Sequence, residues 1–573
     1  MAHSYDLVIR GGTVADGSGG ALFEADVAIQ GQRIAEIGKI AGAGAEEIDA
    51  KGLLVTPGFV DIHTHFDGQV TWENRLVPSS GHGVTSVLMG NCGVGFAPCR
   101  PDQHDLLVKV MEGVEDIPEA VMAEGLPWNW ETFGQYLDVL GGRQCDIDFA
   151  AYIPHSPVRV YVMGERGAAR EPATDADLAQ MRAIVRDAVL AGAMGVSSSH
   201  HTGHRAADGS LAPSVGSHER ELMALAEGLK DAGRGVFQWI GNSHYGSDPA
   251  QEIGIMREIA SRTGRLVTFT LIQKAGRPDL PWEVLRLVEQ ARQDGLPIRP
   301  QVFPRPIGVL LGLDFNHHPF RYHPSFQRLV DLPLAEKVKA LRDPALRAKL
   351  LQEKPDHPNP VLVSFACTPA ETYVLGDPPN YEPGPEDKLG ARAARLGVSA
   401  WELAYDLLLE NDGRTVLMMP PSNYVEANLE AVRRMMTHPD TLIALGDGGA
   451  HYGMICDSSF PTFLLSHWVR DRKQGRVPVE WAVKALTHSN AAAVGFSDRG
   501  LVKAGMKADL NVIDLSALKL HAPIARYDLP AGGRRLSQKA DGYRATIVAG
   551  QTTYRDGEAT GALPGRLIRS AQR

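Results

Sequence analysis

Cysteine is scarce in this sequence, with five residues among 573. An odd and widely spaced set cannot build a disulfide framework, so we expect a reducing compartment and a cytoplasmic location. Long hydrophobic runs are lacking too: no window of about 18 uninterrupted apolar residues occurs, and the first residues show no basic stretch followed by an apolar core. The sequence therefore predicts neither a membrane span nor a secretory leader.

Positively charged residues are fewer than negatively charged ones. Lys and Arg together number 58 against 68 Asp and Glu, which gives a formal net charge of −10. A nucleic-acid-binding protein is expected to carry a basic patch, so nucleic acid is not an expected partner. The composition, 44% hydrophobic and 22% charged, is that of a globular protein. We expect a small-molecule substrate, no membrane partner, and a chain that could form a homo-oligomer.

Short segments that alternate apolar and polar residues occur near both ends of the chain, at 25–30, 33–38, 508–514 and 543–550. Such alternation between turn residues predicts half-buried β-strands. Neither end is long enough to bury its own apolar face. We therefore predict a small β-sandwich domain formed by both termini, from residues 1–56 and 496–573.

The middle of the chain, residues 57–495, alternates apolar strands with amphipathic helices. Eight strands are predicted, at 58–63, 85–89, 148–153, 194–197, 235–240, 266–270, 298–302 and 441–445. This alternation of strands and helices predicts an α/β fold with a (β/α)8 TIM-like barrel, whose active residues lie at the carboxyl ends of the strands. Only the interval at about 304–440 departs from the alternation, and we predict that it forms a lid-like insertion.

Two histidines, His63 and His65, end the first predicted barrel strand. Residues two apart in an extended chain point to the same side, so both imidazoles can bind one metal ion. A bare His-X-His pair is often structural, but the carboxyl end of a barrel strand is where such enzymes place their chemistry. We predict that both histidines are metal ligands.

Asp447 and Cys92 follow two other predicted strands. Asp447 emerges after the eighth strand, where a carboxylate can bind a metal or take a proton from water; an Asp-Gly pair is otherwise a common turn. Cys92 follows the second strand, where a thiolate can bind a metal, although a lone cysteine is more often a small buried hydrophobe.

Several longer motifs resemble the metal-dependent amidohydrolase superfamily, and within it the N-acyl-D-amino-acid deacylase (D-aminoacylase) group. They lie at residues 55–69, 83–98, 154–159, 445–448 and 498–509. The resemblance implies hydrolysis of a C–N amide bond, above all in an N-acyl-D-amino acid. It also implies zinc, as one or two divalent ions, with Asp447 as general base and acid and Cys92 as a metal ligand.

The sequence departs from that group at the fifth and sixth strands, where its members usually place metal-binding histidines. In segment 236–244 the histidine is His244, at the end of the segment. Segment 268–274 contains no histidine and ends with Lys274. We predict His244 and Lys274 as replacement ligands, with His200, His201 and His204 after the fourth strand as further candidates.

The remaining site predictions concern the substrate. His155 is a candidate donor to a developing oxyanion. A carboxylate substrate needs a cation, for which Arg159, Arg305 and Arg321 are candidates. His201 and His451 are candidates for substrate binding, and His451 could instead orient Asp447.

Two alternatives stay open. Without the usual histidines, the site could act on a cyclic amide, lactone or ester, or catalyse a non-hydrolytic lyase reaction. A metal-free barrel that serves as a binding or scaffold protein is the alternative from another class.

Overall fold

This computed structural model describes residues 4–570, so the outermost residues of the two predicted terminal segments, 1–3 and 571–573, lie outside it. The strands within the described residues are β1 (Tyr5–Val14), β2 (Phe23–Gln30), β3 (Arg33–Gly38), β4 (Gly44–Asp49), β5 (Leu54–Pro57), β6 (Phe59–Asp61), β7 (Val84–Met89), β8 (Asp148–Ala151), β9 (Ile153–Pro154), β10 (Gly195–Ser199), β11 (Val236–Ile240), β12 (Val267–Thr270), β13 (Ile298–Val302), β14 (Ile307–Leu311), β15 (Tyr373–Val374), β16 (Leu417–Ser422), β17 (Leu442–Ile443), β18 (Leu510–Ile513), β19 (Lys519–Leu520), β20 (Ile524–Arg526), β21 (Arg535–Ser537), β22 (Ala540–Asp541), β23 (Tyr543–Val548), β24 (Gln551–Arg555) and β25 (Glu558–Ala559).

The α-helices of the same residues are α1 (Gln69–Trp72), α2 (His104–Glu115), α3 (Glu119–Gly125), α4 (Phe133–Gly141), α5 (His155–Met163), α6 (Glu165–Ala168), α7 (Asp175–Ala191), α8 (Glu219–Ala232), α9 (Pro249–Thr263), α10 (Leu280–Gln293), α11 (Leu334–Leu341), α12 (Pro344–Gln352), α13 (Pro360–Ala366), α14 (Leu389–Leu396), α15 (Ala400–Leu409), α16 (Glu430–Met436), α17 (Phe460–Phe463), α18 (Val479–Leu486) and α19 (His488–Val494). None of these helices is both long enough and apolar enough to cross a bilayer.

Strands from both ends of the chain share one nine-stranded sheet. Its order is β25-β24-β23-β18-β5-β1-β2-β3, with β4 beside β1. The two ends meet where β5 pairs antiparallel with β18, Val55 opposite Val512. One face buries an apolar cluster that includes Ile9, Val27 and Ile547. A sandwich also requires a second sheet that faces this one, and that second sheet stays a prediction.

The eight predicted central strands all form, and they pair in parallel along the chain. One sheet runs β6-β7-β8 and a second runs β9-β10-β11-β12-β13-β17. The strands β8 and β9 are the two halves of the third predicted strand, separated at Tyr152. Every residue of β7, β10 and β11 is buried, as expected of parallel strands covered on both faces.

The eighth strand is shorter than predicted, Leu442–Ile443 instead of 441–445. The backbone leaves the extended region at Leu445 (φ 71°) and Asp447 (φ 46°). Positive φ in residues other than glycine is strained and concentrates at functional sites. The turn is held in place because the Asp447 N–H donates to the His63 carbonyl (3.1 Å) and the His65 N–H donates to the Gly448 carbonyl (2.7 Å).

The predicted insertion at 304–440 has its own small sheet and its own core. The strands β14, β16 and β15 pair antiparallel, and they pack on helices of the same segment around Leu311, Phe326 and Tyr405. Two hydrogen bonds of 2.9 Å join Asn423, directly after β16, to Gln273 in the loop after β12. The insertion is therefore attached at the carboxyl end of the sixth central strand, although its role as a lid stays a prediction.

Candidate metal centre

Three buried side chains converge where β6 and β7 end. His63, His65 and Cys92 each offer a ligand atom, and these atoms all lie within 4.8 Å of one another. The Cys92 Sγ is 3.4 Å from His63 Nε2 and 3.7 Å from His65 Nε2. Two imidazoles and a thiol are donors that suit zinc.

Cys92 is positioned by the tight loop after β7. Its N–H donates to the Gln238 side-chain oxygen (3.1 Å), and its own φ is positive at 59°. The next residue must be glycine, since a Cβ on Gly93 would lie 2.9 Å from the Ser198 Cα and its φ is +70°. Burial raises the pKa of the Cys92 thiol to about 12, so a bound cation is what would favour its thiolate.

Asp447, which follows the eighth strand, lies close to the same two histidines. Its Oδ1 lies 3.5 Å from His63 Nε2 and 3.6 Å from His65 Nε2. Burial pushes the pKa of Asp447 up, but the hydrogen bond with His65 and the charges of His63 and His65 lower it to about 2. The side chain of Asp447 is 23% exposed, against 2% for His63 and 1% for His65. The carboxylate is therefore ionised at neutral pH and less deeply buried than the two imidazoles.

Gln301 on β13 fixes the orientation of His63. The His63 Nδ1 lies 2.6 Å from the Gln301 Oε1, which can only accept a hydrogen bond. The ring therefore carries its proton on Nδ1 and presents the Nε2 lone pair to Cys92 and Asp447. Holding a histidine by its other nitrogen is the usual arrangement around a protein-bound metal, so these residues fit a divalent ion.

Glu115, the last residue of α2, lies next to His65. Its two carboxylate oxygens are 3.4 Å from His65 Nδ1 and 3.5 Å from His451 Nε2. Glu115 therefore lies between the buried His65 and His451, whose side chain is 26% exposed. Glu115 is not predicted from the sequence, because nothing in a helical segment fifty residues from His65 signals that contact.

Gln238 and Gln301 were also missed, although a signal was present. Gln238 is the one polar residue of β11, Gln301 lies on β13, and each is fully buried. The amide nitrogens of both side chains have no hydrogen-bond partner among the described residues. Buried amides of this kind require an explanation, and both lie beside the ligand candidates at the carboxyl ends of their strands.

Comparison with known proteins places the chain among relatives with the same architecture. Residues 46–554 match the model of the "Amidohydrolase family". The chain belongs to the amidohydrolase family. It is 27% identical to a D-aminoacylase of Alcaligenes xylosoxydans xylosoxydans over 98% of this chain and 97% of the relative. An N-acyl-D-aspartate deacylase of the same organism is also 27% identical, over 98% and 95%.

Solved structures show the same fold. A D-aminoacylase structure superposes with a TM-score of 0.65 at 23% identity, covering 99% of this amidohydrolase and 100% of the other chain. An N-acyl-D-glutamate deacylase from Bordetella bronchiseptica, complexed with zinc and a phosphonate inhibitor, gives a TM-score of 0.62 at 21% identity, with 99% and 100% covered.

His244, one of the two predicted replacement ligands, does not join the donor group of this amidohydrolase. Among the histidine, cysteine and acidic residues of 4–570, the group contains only His63, His65 and Cys92. His244 lies in a short turn after β11 and its Nε2 accepts a hydrogen bond from the Ile272 N–H (3.2 Å). The Lys274 Nζ lies 3.5 Å above the Tyr245 ring, and its role as a ligand stays a prediction.

His155 and Arg159 belong to a buried network, which differs from their predicted roles. The His155 Nδ1 lies 2.8 Å from Ser198 Oγ and its Nε2 lies 2.7 Å from Glu221 Oε1. Arg159 forms an ion pair with the other oxygen of Glu221. With both ring nitrogens engaged, His155 has no free donor for an oxyanion, and the charge of Arg159 is already neutralised.

The other predicted substrate contacts lie in different surroundings. Arg305 is 1% exposed and pairs with Asp457 (2.9 Å), so its charge is also neutralised. The His201 ring stacks on His204 at 4.7 Å between centroids. Of the predicted substrate contacts, His451 is the one that the structure places against Glu115 and the donor group.

We predict that Gln301→Leu weakens metal binding about 10- to 100-fold, because His63 loses the acceptor that fixes its Nδ1 proton. Gln301→Glu keeps an acceptor and should restore most of the affinity. Zinc affinity is measured by competition with a chelator on metal-stripped protein, with the exposed Gln293→Leu as control. Equal affinity in wild type and Gln301→Leu would contradict the positioning role.

We also predict that Glu221→Gln destabilises the protein by about 3–5 kcal/mol at pH 7, because Arg159 is left buried without its partner. Burial opposes the ionisation of Glu221, but His155 and Arg159 lower its pKa to about 2, from 4.5. The stabilisation is therefore present above pH 4.5 and is lost as the pH falls towards 2.

Urea unfolding at several pH values tests this, with the exposed Glu219→Gln on the same helix as control. The difference between wild type and Glu221→Gln should narrow below pH 4.5. A difference that stays constant down to pH 2 would show that the charge of Glu221 is not responsible.

Proposed function

We propose that this chain is a metal-dependent hydrolase that cleaves the C–N amide bond of an N-acyl-D-amino acid. The observation that carries the proposal is the convergence of His63, His65 and Cys92 with the Asp447 carboxylate, from three separate strands, on one small space. The relatives named D-aminoacylase and N-acyl-D-aspartate deacylase, matched over nearly their whole length, support the choice of substrate class.

His63, His65 and Cys92 are the residues that would hold the ion, zinc in the first place. When bound, such an ion supplies Lewis acidity to the scissile carbonyl and to the attacking water. One or two divalent ions are compatible with the donors, since Asp447 also faces both imidazoles.

Asp447 acts as general base and then as general acid. Its pKa of about 2 keeps it ionised at neutral pH, ready to accept a proton from water. Once protonated, Asp447 can return the proton to the departing amine. His451, held by Glu115 beside this carboxylate, contacts the substrate or orients Asp447. Arg159 and Arg305 are left out of substrate binding, because each already neutralises a buried carboxylate.

The architecture that we propose is a (β/α)8 barrel of β6 to β13 and β17 with a β-sandwich built from both termini. The hydrogen bonds between His63–His65 and Asp447–Gly448, which bring the first and eighth strands together, support closure of the barrel. The three-dimensional likeness to D-aminoacylase supports the same architecture. The residue bounds are those predicted, 1–56, 57–495 and 496–573.

We propose a cytoplasmic location and a small-molecule substrate as the partner. All five cysteines are buried free thiols, a state that a reducing compartment maintains. A homo-oligomeric state and the absence of nucleic-acid binding are parts of the same proposal.

We predict that Asp447→Asn keeps near wild-type metal content but lowers kcat by about 10²- to 10⁴-fold, because the proton acceptor is lost. His63→Ala should instead lose the metal. Elemental analysis and turnover of N-acetyl-D-amino acids give the two readouts, with the exposed Asp105→Asn as control. Wild-type turnover by Asp447→Asn would show that another group is the base.

The substrate panel for wild type includes L-enantiomers, cyclic amides and lactones. Gln238 stands at the fifth strand, near where related enzymes usually place a histidine, and this favours the cyclic-amide or lactone alternative as the second candidate. Turnover confined to those compounds would establish the alternative. Absence of both metal and turnover would favour a binding or scaffold protein.

A further inference from the structure

A cavity of about 220 Å³ lies inside the insertion, between its helices and residues near the C-terminus. Three cationic side chains line it: Arg321, Lys337 and Arg534. No Asp or Glu is among the described lining residues. This concentration of positive charge is unexpected in a chain with a net charge of −10.

The three cations lack the usual partners. None of them has a carboxylate oxygen within 4.0 Å among residues 4–570. Lys337 is only 5% exposed, and its ammonium group donates a long hydrogen bond of 3.4 Å to the Leu313 carbonyl. Leaving an ammonium group buried without a counter-charge costs several kcal/mol.

The surrounding charges compensate the positive charge of Lys337 poorly. Burial in the first place, and then the charges of Arg534 and Arg321, lower the pKa of Lys337, although Asp314 and Asp331 act in the opposite direction. Asp314 is itself engaged, since it accepts a hydrogen bond from the Tyr527 hydroxyl (2.7 Å). A third acid, the buried Asp116, feels the charge of Arg534 and is joined to it only through Asn316. None of these acids forms a direct ion pair with Arg321, Lys337 or Arg534 among the described residues.

Hydrogen-bond donors in the same cavity are also unused. The Arg534 Nε is buried and has no partner among the described residues. The His318 Nδ1 accepts from the Phe320 N–H (3.2 Å), so this neutral ring carries its proton on Nε2. Burial lowers the pKa of His317 to about 4, so that ring is also neutral. The lining thus offers three positive charges whose hydrogen-bond acceptors are all neutral, together with an unpaired N–H on Arg534.

We infer that this cavity is a binding site for a compact anion with two or more negative charges, of the phosphate type. At roughly 30 Å³ for each water, the cavity has room for about seven waters, and it is smaller than the 300–1,000 Å³ typical of sites for larger ligands. A tetrahedral oxyanion fits this volume and can accept bonds from Arg321, Lys337 and Arg534 together.

The site is separate from the metal centre, although Asn316 links the two. None of His63, His65, Cys92 and Asp447 lines the cavity. Asn316 accepts a hydrogen bond from Arg534 and donates to Asp116 (3.1 Å), the residue after Glu115. The inference therefore does not rest on the proposed hydrolase function.

Inorganic phosphate is the probe, added to the full-length protein at an ionic strength held constant with sodium chloride. The variants are Lys337→Met, of similar length, and Lys339→Met as the exposed control on the same helix. Calorimetric titration and the Tm give the readouts, because a ligand that binds only the folded state raises the Tm in a saturable way.

We expect wild type and Lys339→Met to bind phosphate with one saturable site and a rising Tm. Lys337→Met should fold at least as stably without phosphate, and bind it at least tenfold more weakly. If Lys337→Met does not fold, Arg321→Met at the rim serves instead, with the same expected loss.

Two results would overturn the inference. One is a wild-type Tm that responds to phosphate no more than to chloride. The other is an equal response in Lys337→Met and wild type, which would place the phosphate elsewhere, for example at the metal centre.

Discussion

Two backbone hydrogen bonds, from Asp447 to His63 and from His65 to Gly448, hold the ends of the first and eighth central strands together. The candidate site depends on this contact. It sets the Asp447 carboxylate against both imidazoles, and it includes the positive φ of Asp447, four residues after the short strand β17 ends. Strain of this kind persists only when surrounding contacts compensate for it, and the two hydrogen bonds, on either side of Thr64, supply that compensation.

The electrostatics of the site follow from the same convergence. Asp61, Asp67 and Glu115 are buried around the two histidines, and Asp447 faces them. Burial raises the pKa of Asp61 to about 8 and that of Asp67 to about 7, because removal from water disfavours the charged form of each carboxyl group. A divalent cation is the natural compensation for a cluster of acids, imidazoles and a thiol.

The cavity inside the insertion is lined by the opposite charge. Its cavity gathers Arg321 and Lys337 with Arg534 from the C-terminal part of the chain, while the central strands gather carboxylates. Asn316 lies between the two regions through its contacts with Arg534 and Asp116. The molecule thus separates its charges into an anionic centre and a cationic cavity within one structure.

Strand periodicity and strand ends are local patterns, so the sequence alone predicts His63, His65 and Asp447 as site residues, whereas the metal-ligand role of Cys92 comes from the resemblance to the amidohydrolase superfamily. The eight central strands and a β-domain built from both termini are predicted in the same local way. Glu115, Gln301 and the pairing of His155 with Glu221 were decided only by tertiary structure. These contacts join residues far apart in the chain, and no local pattern records which buried polar groups will meet.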